Sequence, residues 1–460
     1  MPQRIPAVPR SRSFLDSRAM AHNPVQVLSQ YTALYGDTFR FHFGGFKEAV
    51  VTTNPVVIQH VLKTNSENYH KSHIQKKRMG HFLGKGLLTT EGEAWKTQRR
   101  LIQSGFERKQ LEVLSSIMQD SLAESLRDFD QQTRIGPVDI YPLMMKITFA
   151  MVGKSLFGAK LKEDDIELIS EAISTVQKFM VRQTIQPYLN PWFAISGELR
   201  RHEQMRTRAF GILGDYIRRR REDEPGHDLL QILLDARYND GSHMDDDLII
   251  SESMQLLVAG HETSSNALSW TLYLLSTRPD CVDKIRDEFD AILGDKPLAF
   301  SDVPKFEFTT QVINEALRLY PPFWMVDRMA LGDDRAGDVD IPGGSTVVVF
   351  IYGTHHSPRY WENPESFDPE RFARANEKLH TPFAHLPFGA GPRGCIGGNY
   401  AMLQMLMILS VLLRKYDFQL VAGQNVEPRP MVILRPEHGI NMTFTEPISR
   451  GIGRLSNYSV

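Results

Sequence analysis

The stretch FGAGPRGCIG, residues 388–397, holds one of only two cysteines in a chain of 460 residues. Cys395 could be a zinc ligand, but zinc sites commonly cluster cysteines or histidines, and none lies nearby. It could be a nucleophile, and the histidine partner that this requires is left open by the sequence spacing. It could also be a buried structural cysteine in a glycine-rich turn. These three interpretations stand beside a fourth, in which the thiolate binds a metal that brings its other ligands along.

Haem iron is such a metal, and the loop suits it. Gly391, Gly394 and Gly397 would let the backbone bend and approach a flat macrocycle closely. A helix from about Gly398 would direct its N-terminal amides toward the sulfur, which favours the thiolate.

A second set of polar residues interrupts a long predicted helix. From roughly Asp247 to Thr277 the chain contains no proline, begins with acids and is stopped by Arg278-Pro279. About 30 residues at 1.5 Å each give a helix of about 45 Å. Its middle reads AGHETSS, and polar groups are costly to bury without partners. Either the helix is exposed there, or a functional site lies against it.

Taken together, these motifs identify a family. FGAGPRGCIG fits the pattern F-x-x-G-x-R-x-C-x-G in full, and here the sequence resembles the cytochrome P-450 superfamily of haem-thiolate monooxygenases. Further family motifs follow at the expected spacing: W-x-x-x-R at Trp95 and Arg99, A-G-x-E-T at 259–263, E-x-x-R at Glu315 and Arg318, and F-x-PERF at 367–372.

The resemblance implies that Cys395 binds the iron of haem b, iron protoporphyrin IX. Cations and donors are then needed for the two haem propionates. The indole N–H and the guanidinium of Trp95 and Arg99 face the same way at i,i+4. The remaining residues expected at the haem are Arg328, Arg393 and, as a weaker candidate, His355 for the propionates, with Phe388, Gly389, Gly397 and Ala259 around the macrocycle.

The family also implies a proton relay in the long helix. Gly260 would leave room for a flat ligand or O2, and Glu262 and Thr263 would supply a carboxylate and a hydroxyl. The alternative for Thr263 is a hydroxyl bonded back to its own helix. His261 faces elsewhere and is interpreted as a polar residue satisfied by the protein.

Glu315 and Arg318 lie one helical turn apart, so both can meet Arg371 of the PERF segment. In the family this triad is structural and locks the cysteine loop. The alternative is an ordinary surface pair.

The implied reaction is insertion of one oxygen atom of O2 into a C–H bond of a small organic substrate, as hydroxylation or oxidative O-dealkylation. We expect electrons from a separate ferredoxin or flavodoxin with an NAD(P)H-dependent reductase. Lys96 and Arg100 form a second basic stripe that we expect to help dock this partner, although simple solvation also explains it. The alternatives are a peroxide-dependent haem-thiolate peroxygenase and a non-catalytic haem sensor.

The substrate pocket is the least determined part. By family position it should draw on residues 72–83, the stretch 176–192 and Leu256 to Ala259. It should also include an apolar set that core packing explains equally well: Trp324, Met325, Val326, Met431 and Val432. Residues 70–81, HKSHIQKKRMGH, are unusually basic. They could accommodate an anionic or hydroxylated substrate, or form a solvated loop.

The secondary structure that must position these residues is predicted from the distribution of residue types along the chain. The predicted fold class is mainly α with a minor β portion, the cytochrome P-450 fold, in one domain over 1–460. The β-rich part is expected at about 36–53, 325–355 and 418–446, and the α-rich part at about 94–320 and 398–415. A net charge of −2 argues against nucleic-acid binding, and no segment predicts a signal peptide or membrane anchor. We therefore expect a cytoplasmic monomer.

Overall fold

The computed structural model describes residues 5–43, 47–158 and 161–446. Helices dominate. In chain order they are α1 (Arg10–Leu15), α2 (Ser17–His22), α3 (Pro24–Tyr35), α4 (Pro55–Gln59), α5 (Gly80–Leu83), α6 (Gly92–Gln103), α7 (Arg108–Ile135), α8 (Ile140–Phe157), α9 (Glu163–Ile185), α10 (Asn190–Ile195), α11 (Glu198–Glu222), α12 (Leu229–Asp235), α13 (Asp246–Ser276), α14 (Pro279–Leu293), α15 (Glu307–Leu319), α16 (Ile351–His355) and α17 (Gly398–Lys415).

The strands are short and gather into small sheets. In chain order they are β1 (Thr38–Phe43), β2 (Lys47–Thr52), β3 (Tyr69–His70), β4 (Val138–Asp139), β5 (Val326–Ala330), β6 (Asp334–Ala336), β7 (Val339–Ile341), β8 (Thr346–Val349), β9 (Asp417–Leu420), β10 (Pro428–Pro430), β11 (Leu434–Pro436) and β12 (Asn441–Thr445).

The chain divides into two compact units that interleave in sequence. The first comprises residues up to 76, 311–395 and 428–435, and the second comprises 77–310, 396–427 and the chain from 436 onward. Residues 447–460, which the predicted domain includes, lie outside the described residues.

The first unit contains the main sheet, with strand order β1-β2-β8-β5-β3. The first segment of the expected β-rich part, at about 36–53, forms the antiparallel β1–β2 ladder, with Phe39 opposite Val51. β8 then joins β2 in parallel. Buried aliphatic side chains such as Val50 and Val347 lie in one core cluster, while Phe39 and Val51 lie in another. The alternating side chains therefore fill two separate cores.

The second unit is built around α13, which confirms the predicted long helix. Its N-cap Asp245 accepts a hydrogen bond from the Leu248 N–H at 2.7 Å, and acids occupy its first turn. Most of its residues are buried, and α8 packs along it. The predicted C-terminal strands do not join the main sheet. β9 and β12 form a three-stranded sheet with β4, in the order β4-β12-β9, and β10 and β11 form a separate two-stranded sheet.

Among the described residues, no helix combines the length and the apolar character that crossing a membrane requires.

Candidate active site

The cysteine loop is a tight, hydrogen-bonded turn that presents a thiol. The Cys395 N–H donates to the Phe388 carbonyl at 2.8 Å, and the Gly394 N–H donates to Gly391 O at 3.0 Å. Cys395 is exposed, whereas the other cysteine, Cys281, is buried. The interpretation of Cys395 as a buried structural cysteine is therefore wrong. Zinc is not supported either, since the described residues contain no group of three or more His, Cys, Asp or Glu that could hold a metal.

Two glycines of this loop have left-handed backbone, and they serve different purposes. Gly389 has φ +69°, and a Cβ placed there would meet only the Gly394 Cα, at 3.9 Å. Gly391 also has φ +69°, but its Cβ would lie 1.8 Å from the Leu62 carbonyl oxygen. Gly391 is therefore required by close packing against the segment His60–Thr64, and room for a macrocycle is not its reason. A Cβ on Gly397 would make ordinary contact with the Phe106 ring, at 3.5 Å.

The donors present suit a haem. The fit rests on an exposed thiol, an open glycine at position 389 beside it, and cationic side chains for two carboxylates. Arg393 lies two residues before Cys395 and is half-buried, and Arg328 of β5 is 8 % exposed. In the second unit, Trp95 and Arg99 lie one helical turn apart on α6, with Trp95 buried and Arg99 half-buried.

The E-x-x-R pair is fully buried, so the surface-pair alternative is wrong. Arg318 donates from Nε to Glu315 Oε2 at 2.7 Å and from a terminal nitrogen to Oε1 at 2.8 Å. Arg371 donates to the same Oε1 at 3.2 Å, as does the Asp368 N–H at 3.0 Å. Both carboxylate oxygens thus have charge-assisted partners, which offsets the cost of burying the pair.

His355 belongs to this structural network, and the prediction that it contacts a propionate is corrected. Its Nδ1 pairs with the Arg318 carbonyl at 3.1 Å, and its Nε2 accepts from the Leu386 N–H at 2.9 Å. Both ring nitrogens are therefore engaged by backbone. Burial lowers the pKa of His355 well below its usual range, so the ring is neutral.

The middle of α13 carries one open stripe. Between 251 and 272 every residue is buried except Leu256, Ala259, Gly260 and Thr263. Their spacing of three, four and seven residues places all four on one helical face. Two of the predicted haem-side or catalytic residues, Ala259 and Thr263, and the predicted pocket residue Leu256 thus share a partly open face, whereas Val152 of α8 occupies the space beside Gly260.

The polar residues of this stretch have distinct surroundings. The Thr263 hydroxyl donates to the Ala259 carbonyl at 2.7 Å, the back-bonded arrangement that was one interpretation. Glu262 is 2 % exposed. His261 is fully buried, pairs through Nδ1 with the Leu257 carbonyl at 2.6 Å and packs edge-on against the Phe149 ring.

Gly260 needs a different physical reason from the predicted one. A Cβ there would lie 3.1 Å from Val152 Cγ2 of α8. The glycine lets the two helices approach, and the space beside it is taken by protein.

Several predicted pocket residues contribute to cores. Trp324 is 6 % exposed, belongs to an apolar cluster of the first unit and donates its indole N–H to Met431 O at 3.0 Å. The prediction that it lines a substrate pocket is therefore not retained. Met325 and Val326 pack against the two core clusters of that unit. Val432 is 37 % exposed.

Sequence reasoning missed a polar tether in the second unit. Glu252 and Gln255 of α13 accept the backbone N–H groups of Leu87 and Leu88, at 3.0 and 2.7 Å. Gln255 also donates to the Gly84 carbonyl at 3.1 Å. The signal was available, since an acid and an amide three residues apart interrupt an otherwise apolar helix face. The tether fixes the segment 83–90 before α6.

Comparison with known proteins agrees with this arrangement. A family model described as "Cytochrome P450" matches residues 2–444. The chain is 30% identical over 422 residues to "Putative cytochrome P450 132" of Mycobacterium tuberculosis (strain ATCC 25618 / H37Rv), covering 88% of this chain and 89% of that one. It is 28% identical over 423 residues to "Cyclooctatin synthase" of Streptomyces melanosporofaciens, covering 90% of both.

Among solved structures, the cytochrome P450DA heme domain matches with a TM-score of 0.83 at 22% identity, over 96% of both chains. This likeness confirms the predicted fold, mainly helical with a minor sheet portion. Two further relatives, each 28% identical and covering 88–89% of this chain, are named "Pentalenene oxygenase", from Streptomyces avermitilis, and "Cyclooctat-9-en-7-ol 5-monooxygenase", from Streptomyces melanosporofaciens. The family match, these names and the predicted motifs agree on one conclusion. The chain belongs to the cytochrome P450 family and is a monooxygenase with haem as its cofactor.

Proposed function

We propose that this monooxygenase hydroxylates, or oxidatively O-dealkylates, a small organic substrate, with Cys395 as the thiolate ligand of haem b. The observation that carries the proposal is the open stripe of α13, formed by Leu256, Ala259 and Thr263, in the stretch 251–272, which is otherwise almost entirely buried. When bound, haem supplies O2 activation, and a thiolate ligand favours cleavage of the O–O bond.

The chain's own residues then have defined tasks. Cys395 presents its sulfur from a turn held by the 2.8 Å bond to Phe388, so little freedom is lost on ligation. Arg328, Arg393, Trp95 and Arg99 neutralise or bind the propionates.

Proton delivery is assigned to two neighbours on α13. Glu262 supplies a buried carboxyl group for proton transfer, and the Thr263 hydroxyl relays the proton from the open face. The Thr263 Oγ1–H bonded to Ala259 fixes the direction of the oxygen lone pairs, which are left to accept. A peroxide-driven enzyme or a haem sensor would not require this pair.

Relatives support oxidation at a carbon centre. One of them is named "Pentalenene oxygenase", from Streptomyces avermitilis, and another "Cyclooctat-9-en-7-ol 5-monooxygenase", from Streptomyces melanosporofaciens. We extend to this chain only the reaction type, insertion of one oxygen atom.

The test compares two ways of driving the reaction: electrons from NAD(P)H together with O2, or hydrogen peroxide alone. Purified enzyme is supplied with NAD(P)H, a reductase and a ferredoxin or flavodoxin, or instead with hydrogen peroxide alone, against a mixed substrate library. We expect substrate-dependent product with the reductase system at rates well above those with peroxide. Product formed only with peroxide would support the peroxygenase alternative, and no product from either would support the sensor.

We further propose that Lys96 and Arg100 help to dock the electron donor. Lys96 is 53% exposed in an ion pair with Glu93 at 3.0 Å, and Arg100 is exposed one turn later on α6. Exposed positive charges attract an acidic partner over a distance, and this attraction weakens as the salt concentration rises. A Lys96→Glu/Arg100→Glu variant should raise the apparent KM for the donor by about tenfold at low salt.

The control is Arg200→Glu/Arg201→Glu, which changes the net charge equally at two exposed positions on α11. Both variants should keep the haem spectrum. An equal rise in KM in the control, or no rise in the first variant, contradicts the assignment.

A further inference from the structure

The carboxylate of Asp334, in the first unit, binds three side chains of one earlier segment. Its Oδ2 atom accepts from His60 Nε2 at 2.9 Å, from Asn65 Nδ2 at 3.0 Å and from the Tyr69 hydroxyl at 2.7 Å. Its Oδ1 atom accepts from the Arg335 N–H at 2.8 Å. An ionised carboxylate can only accept hydrogen bonds, so all of these groups act as donors. The Asp334 cluster is defined as Asp334 with His60, Asn65 and Tyr69.

The surroundings of the Asp334 cluster make these hydrogen bonds strong. The side chain of Asp334 is 12 % exposed and that of His60 is 21 % exposed, while Tyr69 is buried. Hydrogen bonds to an ionised acceptor are about twice as strong as those between neutral groups, and a partly buried site strengthens them further. The donors lie 265–274 residues before their acceptor, so the cluster joins two distant parts of the chain.

A π-helical turn, His60–Thr64, lies between two of the donors. The Asn65 N–H closes it with a hydrogen bond to the His60 carbonyl at 2.9 Å. The first residue of the turn and the residue that follows it thus both bind Asp334, which fixes the turn at both ends. Turns of this kind are rare and are frequent at functional sites.

The π-helical turn packs directly against the cysteine loop. A Cβ on Gly391 would lie 1.8 Å from the Leu62 carbonyl oxygen, so backbone meets backbone here. The carbonyl of Gly391 in turn accepts from the Gly394 N–H at 3.0 Å, one residue before Cys395. A displacement of Leu62 would therefore be transmitted to the part of the loop that presents the sulfur.

The segment that leads into the loop is held by the same turn. Lys63 Nζ lies 5.9 Å from the centroid of the Phe383 ring. Phe383 has φ +64°, a left-handed conformation that is rare for a bulky residue and persists only where the surroundings impose it. Phe383 and Ala390 both pack against one core cluster, to which Leu62 and Tyr69 belong.

We propose that Asp334 is a positioning residue for Cys395. Through its three donors Asp334 fixes the turn His60–Thr64, and this turn, in contact with Gly391, sets the conformation of the cysteine loop. The role of the sulfur as haem ligand rests on the proposed function. The effect of Asp334 on the loop itself does not.

The test compares Asp334 with a second carboxylate of the first unit. Asp334→Asn removes the charge, and either orientation of the new amide leaves a donor without its acceptor. The control is Asp37→Asn. Asp37 Oδ2 accepts from Arg359 at 2.7 Å and from the Tyr360 hydroxyl at 2.8 Å, and the Asp37 side chain is 17 % exposed. The two aspartates thus resemble each other in burial and in partners.

A milder pair of variants removes one hydroxyl each. Tyr69→Phe deletes one donor to Asp334, and Tyr360→Phe deletes one donor to Asp37. Both variants keep the aromatic ring and its packing, so they should fold even if an aspartate variant does not.

The first readout is hydrogen exchange of the cysteine loop in the haem-loaded protein. Asp334→Asn should speed exchange of the Gly394 and Cys395 amides about tenfold, because loss of a charge-assisted hydrogen bond makes local opening easier. Tyr69→Phe should act in the same direction by about threefold.

The second readout is the rate at which the reduced, CO-bound protein loses its red-shifted Soret band in dilute urea, below the unfolding transition. Asp334→Asn should lose the band about tenfold faster than the parent protein. His60→Leu should resemble it, whereas His60→Gln, whose amide can replace the imidazole donor, should stay close to the parent protein.

The control pair separates positioning from general stability. Asp37→Asn and Tyr360→Phe should lower the thermal unfolding midpoint, as Asp334→Asn does. Both should leave exchange of the cysteine loop and loss of the band within about twofold of the parent protein.

Three results would count against these assignments. Unchanged loop exchange in Asp334→Asn, or an equal increase in Asp37→Asn, overturns the proposal. Faster exchange without faster loss of the band also overturns it, because the loop would then be held without effect on the sulfur. A parent protein that lacks the red-shifted band contradicts the proposed function instead, and the exchange comparison still decides whether Asp334 holds the loop.

Discussion

At the scale of single residues, the hydrogen bond of the Thr263 hydroxyl has two interpretations: an ordinary bond within the helix, or part of the proton relay. Its hydroxyl donates to Ala259 O at 2.7 Å, and Thr271, two turns later on α13, donates to Ala267 O at the same distance. The two threonines differ in exposure, because Thr271 is 1 % exposed and Thr263 lies on the open stripe. The back-bond is thus a shared helix feature, and the open face is what distinguishes Thr263.

Replacing each threonine tests this distinction. Thr263→Ala should lower the product formed per NAD(P)H consumed by at least about tenfold, because the hydroxyl relay is removed. Peroxide-driven turnover of Thr263→Ala should persist. Thr271→Ala, which loses an identical back-bond, should retain normal coupling. Full coupling in Thr263→Ala would exclude the relay assignment.

The contacts of a single residue could be predicted where a motif fixed both the residue type and its spacing from its partners. Glu315, Arg318 and Arg371 form the expected buried network for that reason. Gly260 and His355 illustrate the limit, since their neighbours, Val152 and the backbone of Leu386, are distant in sequence. A sequence shows that a side chain is small or polar, but it does not show what packs opposite.

At the scale of elements, α13 was predictable and the sheets only in part. Capping acids, the absence of proline and the stop at Arg278-Pro279 define the helix locally. The β12 strand pairs with β9 and with β4, which lies about 300 residues earlier in the chain. Such pairings depend on tertiary packing, so strand partners could not be predicted from local pattern.

The cysteine loop offers an element-scale prediction through a pair of glycines. Gly391 and Gly423 both have left-handed φ, +69° and +79°, but only Gly391 lacks room for a Cβ. Gly423→Ala should cost about 1 kcal/mol of backbone strain alone. Gly391→Ala should cost about 3 kcal/mol, because overlap with Leu62 O is added.

Thermal unfolding midpoints, together with the fraction of protein that keeps the thiolate spectrum, measure this difference. Equal midpoints for the two variants would show that the close approach at Leu62 does not stabilise the loop.

At the scale of the whole molecule, the two units could not be inferred from sequence. Each is assembled from three separate segments, so no linker or change of composition marks a boundary. The family resemblance extends over both units, since the matching residues run from 2 to 444. Sequence therefore identified the family more securely than the internal division of the chain.

Stability of the whole chain should fall in mild acid because two imidazoles, the buried one of His355 and the half-buried one of His385, are kept uncharged by the fold. Burial lowers the pKa of His385 to about 3, and it lowers the pKa of His355 as well. In the unfolded chain both titrate near 6.5. Below that pH the unfolded state binds more protons, so stability present above about 6.5 is lost progressively toward pH 3.

Between pH 6.0 and 4.5 each imidazole should contribute on the order of 1 kcal/mol per pH unit to this loss. Chemical unfolding of the parent protein and of His385→Gln at several pH values measures it. The variant should show a shallower slope. Identical slopes would mean that His385 is not kept neutral by the fold.

The central claim is that Cys395 is the thiolate ligand of haem, and the spectrum of the reduced, CO-bound protein tests it most directly. We predict a red-shifted Soret band in the parent protein. Cys281→Ser, which alters the buried cysteine of α14, should keep this band, and Cys395→Ser should lose it. A parent protein without the red-shifted band, or a Cys395→Ser variant that retains it, would contradict the account.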